Sequence, residues 1–266
     1  MVAAVGCAID DAVINHTVLI LKGKQGVGKS SFLLNLPPKE LRGYIYSGVL
    51  NPSDKDTMSN LAECFLINLD ELETLSKFKE GALKEIITKS SIRIRRPYSR
   101  FSENLTRHAS FTGSVNHTNI LHDSTGSRRF LIHEATSIDY EHDIDINLVW
   151  AQAYALFKSN YKFYFDMEEI KKVNSQNSAY EVNSVEEELL LKNFEPADKN
   201  NKNPIKRTAT DILTEIQGGD IPKNSRGASI TLGRALSKHN FEFSMIKGSK
   251  YYHVKPIYNE TNIFDE

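Results

Sequence analysis

Cysteine is nearly absent: Cys7 and Cys64 are the only two. Their spacing fits neither a zinc site nor a disulfide framework. Cys64, beside an apolar strand-like run, reads as a small core residue. Net charge is nearly absent too, with 33 basic against 34 acidic side chains and a formal charge of −1. Without a global positive field, any nucleic-acid surface has to be local. No apolar run approaches the length of a membrane-spanning helix. The first residues lack the basic region, long apolar stretch and cleavage site of a signal peptide. These absences predict a cytoplasmic protein with no membrane partner. A hydrophobic share of 40% and a charged share of 25% suit a soluble globular chain. Its 266 residues allow one large or two smaller domains.

What is present begins with Gly23-Lys24-Gln25-Gly26-Val27-Gly28-Lys29-Ser30. This is G-x-x-x-x-G-K-S, a phosphate-binding loop. Its glycines let backbone N–H groups turn toward phosphate oxygens. Lys29 is placed to reach the β- and γ-phosphates, and Ser30 to put its hydroxyl on magnesium. Ser31, at the start of the following helix, completes the nucleotide-contacting set, and that helix offers its positive end to the anion. The apolar run Thr17-Val18-Leu19-Ile20-Leu21 enters the loop as a strand. Residues 31–36 leave it as a helix, which Pro37-Pro38 stops. The expected fold is α/β, the parallel sheet flanked by helices of a P-loop NTPase, with ATP and Mg2+ as cofactors.

Cys64-Phe65-Leu66-Ile67-Asn68-Leu69-Asp70-Glu71 is a strand run that ends in two carboxylates. Asp70 is placed to hold the metal, mostly through water, and Glu71 to polarise the attacking water as general base. An acidic loop after a core strand is the plainer reading. Ser53-Asp54-Lys55-Asp56 reads as a solvated turn and helix start. Residues 76–88 repeat apolar side chains at helical spacing, with Phe78, Ala82, Leu83, Ile86 and Ile87 on the core face.

The charge then changes character. Residues 89–108 carry Lys89, Arg93, Arg95, Arg96, Arg100 and Arg107 against one acid, Glu103. Ile92-Arg93-Ile94-Arg95 alternates like a strand, and Pro97 ends it. Lys89, Arg93, Arg95, Arg96 and Arg100, with Tyr98 among them, suit contact with a nucleic-acid strand. A surface strand with scattered arginines, or arginines facing a neighbouring subunit's nucleotide, are the other readings. The strand at residues 109–115 ends in Asn116, placed to orient an attacking water, although Asn after a strand also fits turn chemistry. In Asp123-Ser124-Thr125-Gly126-Ser127-Arg128-Arg129 a glycine turn presents two arginines before another strand. Either is a candidate to stabilise charge on a neighbouring subunit's γ-phosphate. A strand-edge arginine pair is the alternative.

Residues 145–160 read as a helix with a large apolar face. Residues 181–205, acidic and then rich in Asn and Lys between prolines, read as a linker. From 206 to 266 the pattern is helix, helix, hairpin. Thr208 and Asp211 resemble a capping box, and Gly218-Gly219 end the first helix. The second helix carries Arg234 and Lys238. This is a winged-helix-like unit suited to DNA or protein contacts. Residues 1–180 form the expected nucleotide core.

Taken together, GKQGVGKS, LDELE, IITKSSIRIRRPYSR, FTGSVN and DSTGSRRFL resemble the virulence-associated protein E family over roughly residues 17–135. Those proteins are phage- and island-borne primase–helicase-type ATPases, similar to superfamily 3 helicases of the AAA+ class. The resemblance implies a DNA helicase-type ATPase acting on single-stranded or forked DNA, as a homo-oligomer that is hexameric when active. It carries Lys29 and Ser30 over as phosphate and magnesium contacts, Asp70 and Glu71 as the acidic pair, Asn116 as the sensor, and Arg128 or Arg129 as the finger. Family members often join a primase-type module before the core. The lead before the first strand is short, so that module is expected elsewhere in a longer parent protein or in a partner. A nucleotide-gated DNA-binding or assembly module without unwinding activity is the alternative.

Overall fold

The computed structural model describes residues 1–51, 54–70, 72, 77–95, 98–118, 120–121, 126–198, 205–216 and 225–257. The chain divides into two compact units, Met1–Val182 and Asn183–Glu266.

In the first unit, helix α1 (Val2–Ile9) precedes strand β1 (Val18–Lys22) and helix α2 (Lys29–Asn35). Strand β2 (Ile45–Gly48), helix α3 (Lys55–Glu63), strand β3 (Leu66–Leu69) and helix α4 (Lys77–Thr88) follow. Next come the short strands β4 (Ser91–Ile94) and β5 (Glu103–Thr106), then β6 (Ser110–Val115) and β7 (Phe130–Glu134). Helices α5 (Ile146–Lys158) and α6 (Met167–Asn177) close the unit.

Five strands form one sheet in the order β2-β3-β6-β1-β7, and every pairing is parallel. Helices flank it, and the inner strands β1, β3 and β6 are largely buried on both faces. This explains why β3 reads Leu-Ile-Asn-Leu with all four side chains buried. Val18, Ile20, Ile67, Phe111 and Phe130 join Leu83, Ile86 and Ile87 of α4 in one core. The helical spacing expected over residues 76–88 therefore points three of its apolar side chains inward. The Phe78 side chain lies outside the described residues. Cys64 packs against this core, and burial with Glu63 beside it raises its thiol pKa.

Parallel pairing puts the carboxyl ends of β1, β6, β3 and β2 along one edge of the sheet. The chain leaves β1 for β2 at the far edge, so the strand order reverses at β1. Ligands of open α/β sheets bind at such reversals, outside the carboxyl ends.

The second unit contains helix α7 (Val185–Asn193), strands β8 (Phe194–Pro196) and β9 (Ile205–Arg207), and helices α8 (Ala209–Ile216) and α9 (Ser225–Lys238). Strands β10 (Phe243–Ile246) and β11 (Ser249–Pro256) complete it. Strand β11 pairs antiparallel with β8, β9 and β10. The expectation of a linker over 181–205 is corrected here. Leu190 and Phe194 are fully or almost fully buried with Ile212, Leu213, Leu232 and Val254, so α7 and β8 belong to the core of this unit. Buried apolar side chains override the polar composition around them; residues 199–204 lie outside the described residues. The capping box forms with Asp in the Glu position: Thr208 N–H donates to Asp211 Oδ2 at 2.9 Å, and Asp211 N–H to Thr208 Oγ1 at 3.2 Å. Lys247 and Gly248, both at positive φ, make the two-residue turn of the β10–β11 hairpin. Gly218 and Gly219 lie outside the described residues.

Candidate functional site

The glycine-rich loop leaves β1 at the carboxyl edge of the sheet. Gly23 N–H donates to Val115 O at 3.1 Å, which anchors the loop to the end of β6. Gly26 and Gly28 hold φ values of +85° and +90°, a left-handed conformation that a side chain would strain. Gly23 lies so close to the Ala135 carbonyl that a Cβ there would collide with it.

Lys29 is 6% exposed. Its ammonium donates to Gly23 O at 2.7 Å, Lys24 O at 2.9 Å and Asn116 Oδ1 at 3.1 Å. Three acceptors match the three donors of an ammonium, and the loop is wrapped round the charge. Ser30 Oγ lies 3.4 Å from Ser114 Oγ on β6, and Ser31 is exposed.

Asp70 follows β3 at the same edge. Its Oδ2 accepts from Ser47 Oγ and its Oδ1 from Asn68 Nδ2, each at 2.8 Å. Asn68 is fully buried and also accepts from Thr112 Oγ1 at 3.1 Å. A chain of hydrogen bonds thus runs from β6 through β3 to the Asp70 carboxylate and on to β2. Glu71 lies outside the described residues.

Gln25, Gly26, Gly28, Lys29, Ser30, Ser31, Asp70 and Asn116 share one cleft of about 520 Å³. The structure therefore brings the loop, Asp70 and Asn116 together. Sequence reasoning missed Ser47, Asn68, Thr112 and Ser114. An Asn inside an apolar strand was a visible signal for Asn68; Ser47 carried none. Ser30 and Asp70 give this cleft a hydroxyl and a carboxylate, oxygen donors of the kind that suit a hard divalent cation. No group of three or more His, Cys, Asp or Glu side chains fit for a metal occurs among the described residues.

Arg128 and Arg129 are elsewhere. They sit in a short 3-10 turn, Ser127–Arg129, at the amino end of β7. In the register Val18 faces Phe130 and Lys22 faces Glu134. Five residues of strand, roughly 17 Å, therefore separate the arginines from the glycine loop. Helix α6 fixes this turn: Asn177 Nδ2 donates to Ser127 O at 2.7 Å and Phe130 O at 2.9 Å, and Ser127 Oγ to Asn174 Oδ1 at 2.9 Å. Arg128 is exposed. Arg129 folds back onto Gly126 O at 3.3 Å, and burial, with Arg128 adjacent, lowers its guanidinium pKa. The pair borders a cavity of about 260 Å³ with His16. Burial first, then Arg107, Arg129 and Arg128, hold the His16 imidazole below its ordinary pKa. Asp123, Ser124 and Thr125 lie outside the described residues.

The basic stretch forms an antiparallel hairpin in which Ile92 pairs with Leu105 and Arg93 with Asn104. Ile92 is buried while Arg93 faces out, as the alternation predicts. Arg95 donates from Nε to Ser99 O at 2.7 Å, and Arg100 is exposed. Lys89 pairs with Glu85 at 3.1 Å. Arg96 lies outside the described residues. At the tip Tyr98 is fully exposed, with φ of +65°, and Phe101 is 81% exposed. Arg107, grouped with these residues by sequence, is instead fully buried. It donates to Ala109 O at 2.9 Å and Asn15 O at 2.8 Å, so it serves the fold.

Residues 1–182 match the virulence-associated protein E-like domain. The chain belongs to that family. The VapE-like match ends at the residue where the first compact unit ends. Solved structures similar to this chain include the apo structure of the NrS-1 C-terminal region (305–718). It is 15% identical, with 95% of this chain and 70% of that chain covered and a TM-score of 0.47. The A-form apo structure of the same region is 16% identical over 96% and 70%, with a TM-score of 0.45. No curated protein matches the chain. Among the described residues of this VapE-like protein, no helix is long and apolar enough to cross a membrane.

Proposed function

We propose that this VapE-like chain is a magnesium-dependent ATPase of the AAA+, superfamily 3 type that acts on single-stranded DNA in the replication of a phage or mobile element. The observation that carries this reading is the cleft at the strand-order reversal, where the glycine loop, Lys29, Ser30, Asp70 and Asn116 meet. Backbone N–H groups of a left-handed glycine turn are the chemistry that cradles phosphate. Lys29 exchanges carbonyl partners for β- and γ-phosphate oxygens. Ser30 and Asp70 would hold Mg2+, which would supply charge neutralisation for the triphosphate oxygens. Asn116 orients the attacking water, and Glu71, next in sequence to Asp70, polarises it.

The placement of Arg128 supports assembly. An arginine on the opposite edge of the sheet does not serve its own cleft, but it suits a neighbour's. Charge stabilisation in trans calls for a homo-oligomer, and we propose a hexameric ring on DNA. The hairpin bearing Arg93, Arg95, Arg100, Tyr98 and Phe101, with Arg96 next in sequence to Arg95, is proposed to offer charge for phosphates and rings for bases. The second unit, with two helices and a β10–β11 hairpin, is proposed as a winged-helix-like module. Within it, Lys238 pairs with the buried Glu187 at 2.9 Å. A primase-type module is proposed for the parent protein or a partner, and the cytoplasm as the location.

The test is ATP hydrolysis and strand displacement by the full chain with magnesium and a forked DNA. Turnover stimulated by single-stranded DNA, together with unwinding, is the expected result. ATP binding without unwinding under every assembly condition supports the nucleotide-gated assembly module instead.

A further inference from the structure

Tyr140 stands where two clefts of the first unit meet. One is the glycine-loop cleft. The other, of about 400 Å³, is lined by Asn35, Pro37, His142, Asp145, Asn147 and Tyr140 itself, among others. Helix α2 and its exit form a common floor. Ser31 and Leu34 border the first cleft, and Asn35 and Pro37 the second. The two are successive stretches of one trough, divided by a tyrosine ring.

That ring lies against the loop itself. A Cβ on Gly28 would collide with Tyr140 Cδ1 and stand 3.0 Å from Cε1. Tyr140 is nonetheless 40% exposed as a residue, and it lines both clefts. His142 extends the aromatic wall, edge-on to Phe32 at 6.3 Å between centroids. Its Nδ1 accepts the Ile144 N–H at 3.2 Å, which leaves Nε2 as the protonated donor of a neutral imidazole. Asp145 caps α5 by accepting the Asn147 N–H at 2.9 Å, so the polar groups at the far end are held in place.

An aromatic platform, a second ring and a few fixed polar groups form the chemistry of a nucleobase site. We propose that the second cleft receives the base of the nucleoside triphosphate whose phosphates occupy the glycine loop, with Tyr140 as its stacking platform. This rests on the ATPase reading above. Tyr140 is then a binding residue that lies beyond the phosphate motif, in the segment between β7 and α5. The same ring that meets the base touches Gly28, so base binding and loop conformation are linked through one side chain.

Calorimetry with ATP and with inorganic tripolyphosphate, each with magnesium, separates base from phosphate. Wild type binds ATP at least about tenfold more tightly than tripolyphosphate. Tyr140→Ala loses about tenfold or more for ATP and leaves tripolyphosphate within twofold, and Tyr140→Phe binds ATP as wild type does. Equal losses for both ligands overturn the proposal, because the ring then only props the loop. Photolabelling of wild type with 8-azido-ATP needs no variant: adducts in residues 138–147 are expected, and adducts confined elsewhere overturn it. ATP binding undiminished by Lys29→Ala, with those adducts still formed, sinks the phosphate-loop reading and leaves the base platform standing.

Discussion

The Lys29 ammonium donates to Asn116 Oδ1 at 3.1 Å across 87 residues of sequence. The contact joins the glycine loop after β1 to the end of β6. It holds the loop's charge beside the amide proposed to orient water. A phosphate bound by this ammonium would have to displace protein acceptors such as Gly23 O, Lys24 O or Asn116 Oδ1. Lys29→Ala is expected to lower ATP affinity about 100-fold, on the order of 3 kcal/mol for charge-assisted bonds. Calorimetry with a circular dichroism control checks it; wild-type affinity in a folded variant contradicts the phosphate assignment.

Asn68 is fully buried and donates to Asp70 Oδ1 at 2.8 Å. Asn68→Ala leaves Thr112 and Asp70 short of a buried partner and is expected to cost about 1–3 kcal/mol of stability. It also raises the magnesium concentration needed for half-maximal turnover. A lower melting temperature with an unchanged magnesium requirement means that Asn68 serves the fold alone.

Arg128 is exposed, whereas Arg129 is folded onto Gly126 O. Of the two, Arg128 is therefore the one we propose as the finger. Arg128→Ala is expected to lower kcat about a thousandfold or more with ATP binding intact. Mixing it with Lys29→Ala should restore turnover, since the two defects fall on opposite sides of a shared interface. An inactive mixture that still co-assembles rules out a finger supplied in trans.

The hairpin separates charge from stacking. Arg93→Ala, Arg95→Ala and Arg100→Ala together should reduce the salt dependence of single-stranded DNA binding by about 2 in the log–log slope. Tyr98→Ala or Phe101→Ala should weaken binding by about 1–3 kcal/mol each and leave that slope unchanged. Fluorescence anisotropy over a salt series reads both. An unaltered slope places the DNA elsewhere.

Glu187 is buried and accepts from Lys238 at 2.9 Å and His239 at 2.7 Å. Burial acts to raise its pKa, but the hydrogen bonds from Lys238 and His239 outweigh it and the net shift is downward. A lowered carboxyl stabilises the folded state above its unfolded value of about 4.3 and loses that contribution as pH falls through the folded value. Glu187→Gln is expected to cost about 2 kcal/mol near neutral pH. The gap to wild type should close in acid. Denaturant melts of both proteins across this range check it; a gap that persists in acid excludes the charge as its source.

The sequence alone determined what is local. The loop's glycines, its lysine and serine, the β1 and β3 runs, the helical period of α4 and the Thr208–Asp211 cap are each written within a few neighbouring residues. Backbone conformation and side-chain period act over that range. The alternation at Ile92 and Arg93 was legible for the same reason. Tertiary structure decided what depends on distant partners. Only the parallel order of strands brings Ser47, Asp70 and Asn116 to the loop's cleft, with Asn68 and Thr112 bonded behind Asp70. Only the β1–β7 register puts Arg128 on the opposite edge, where Asn177 of α6 holds its turn. The buried faces of α7 and β8 made a core of residues whose composition resembled a linker. Burial is a property of the whole fold: the run Leu189-Leu190-Leu191 was visible, but its partners Ile212, Leu232 and Val254 are distant in sequence. The glycine loop is a local pattern; which side chains share its cleft is set by packing.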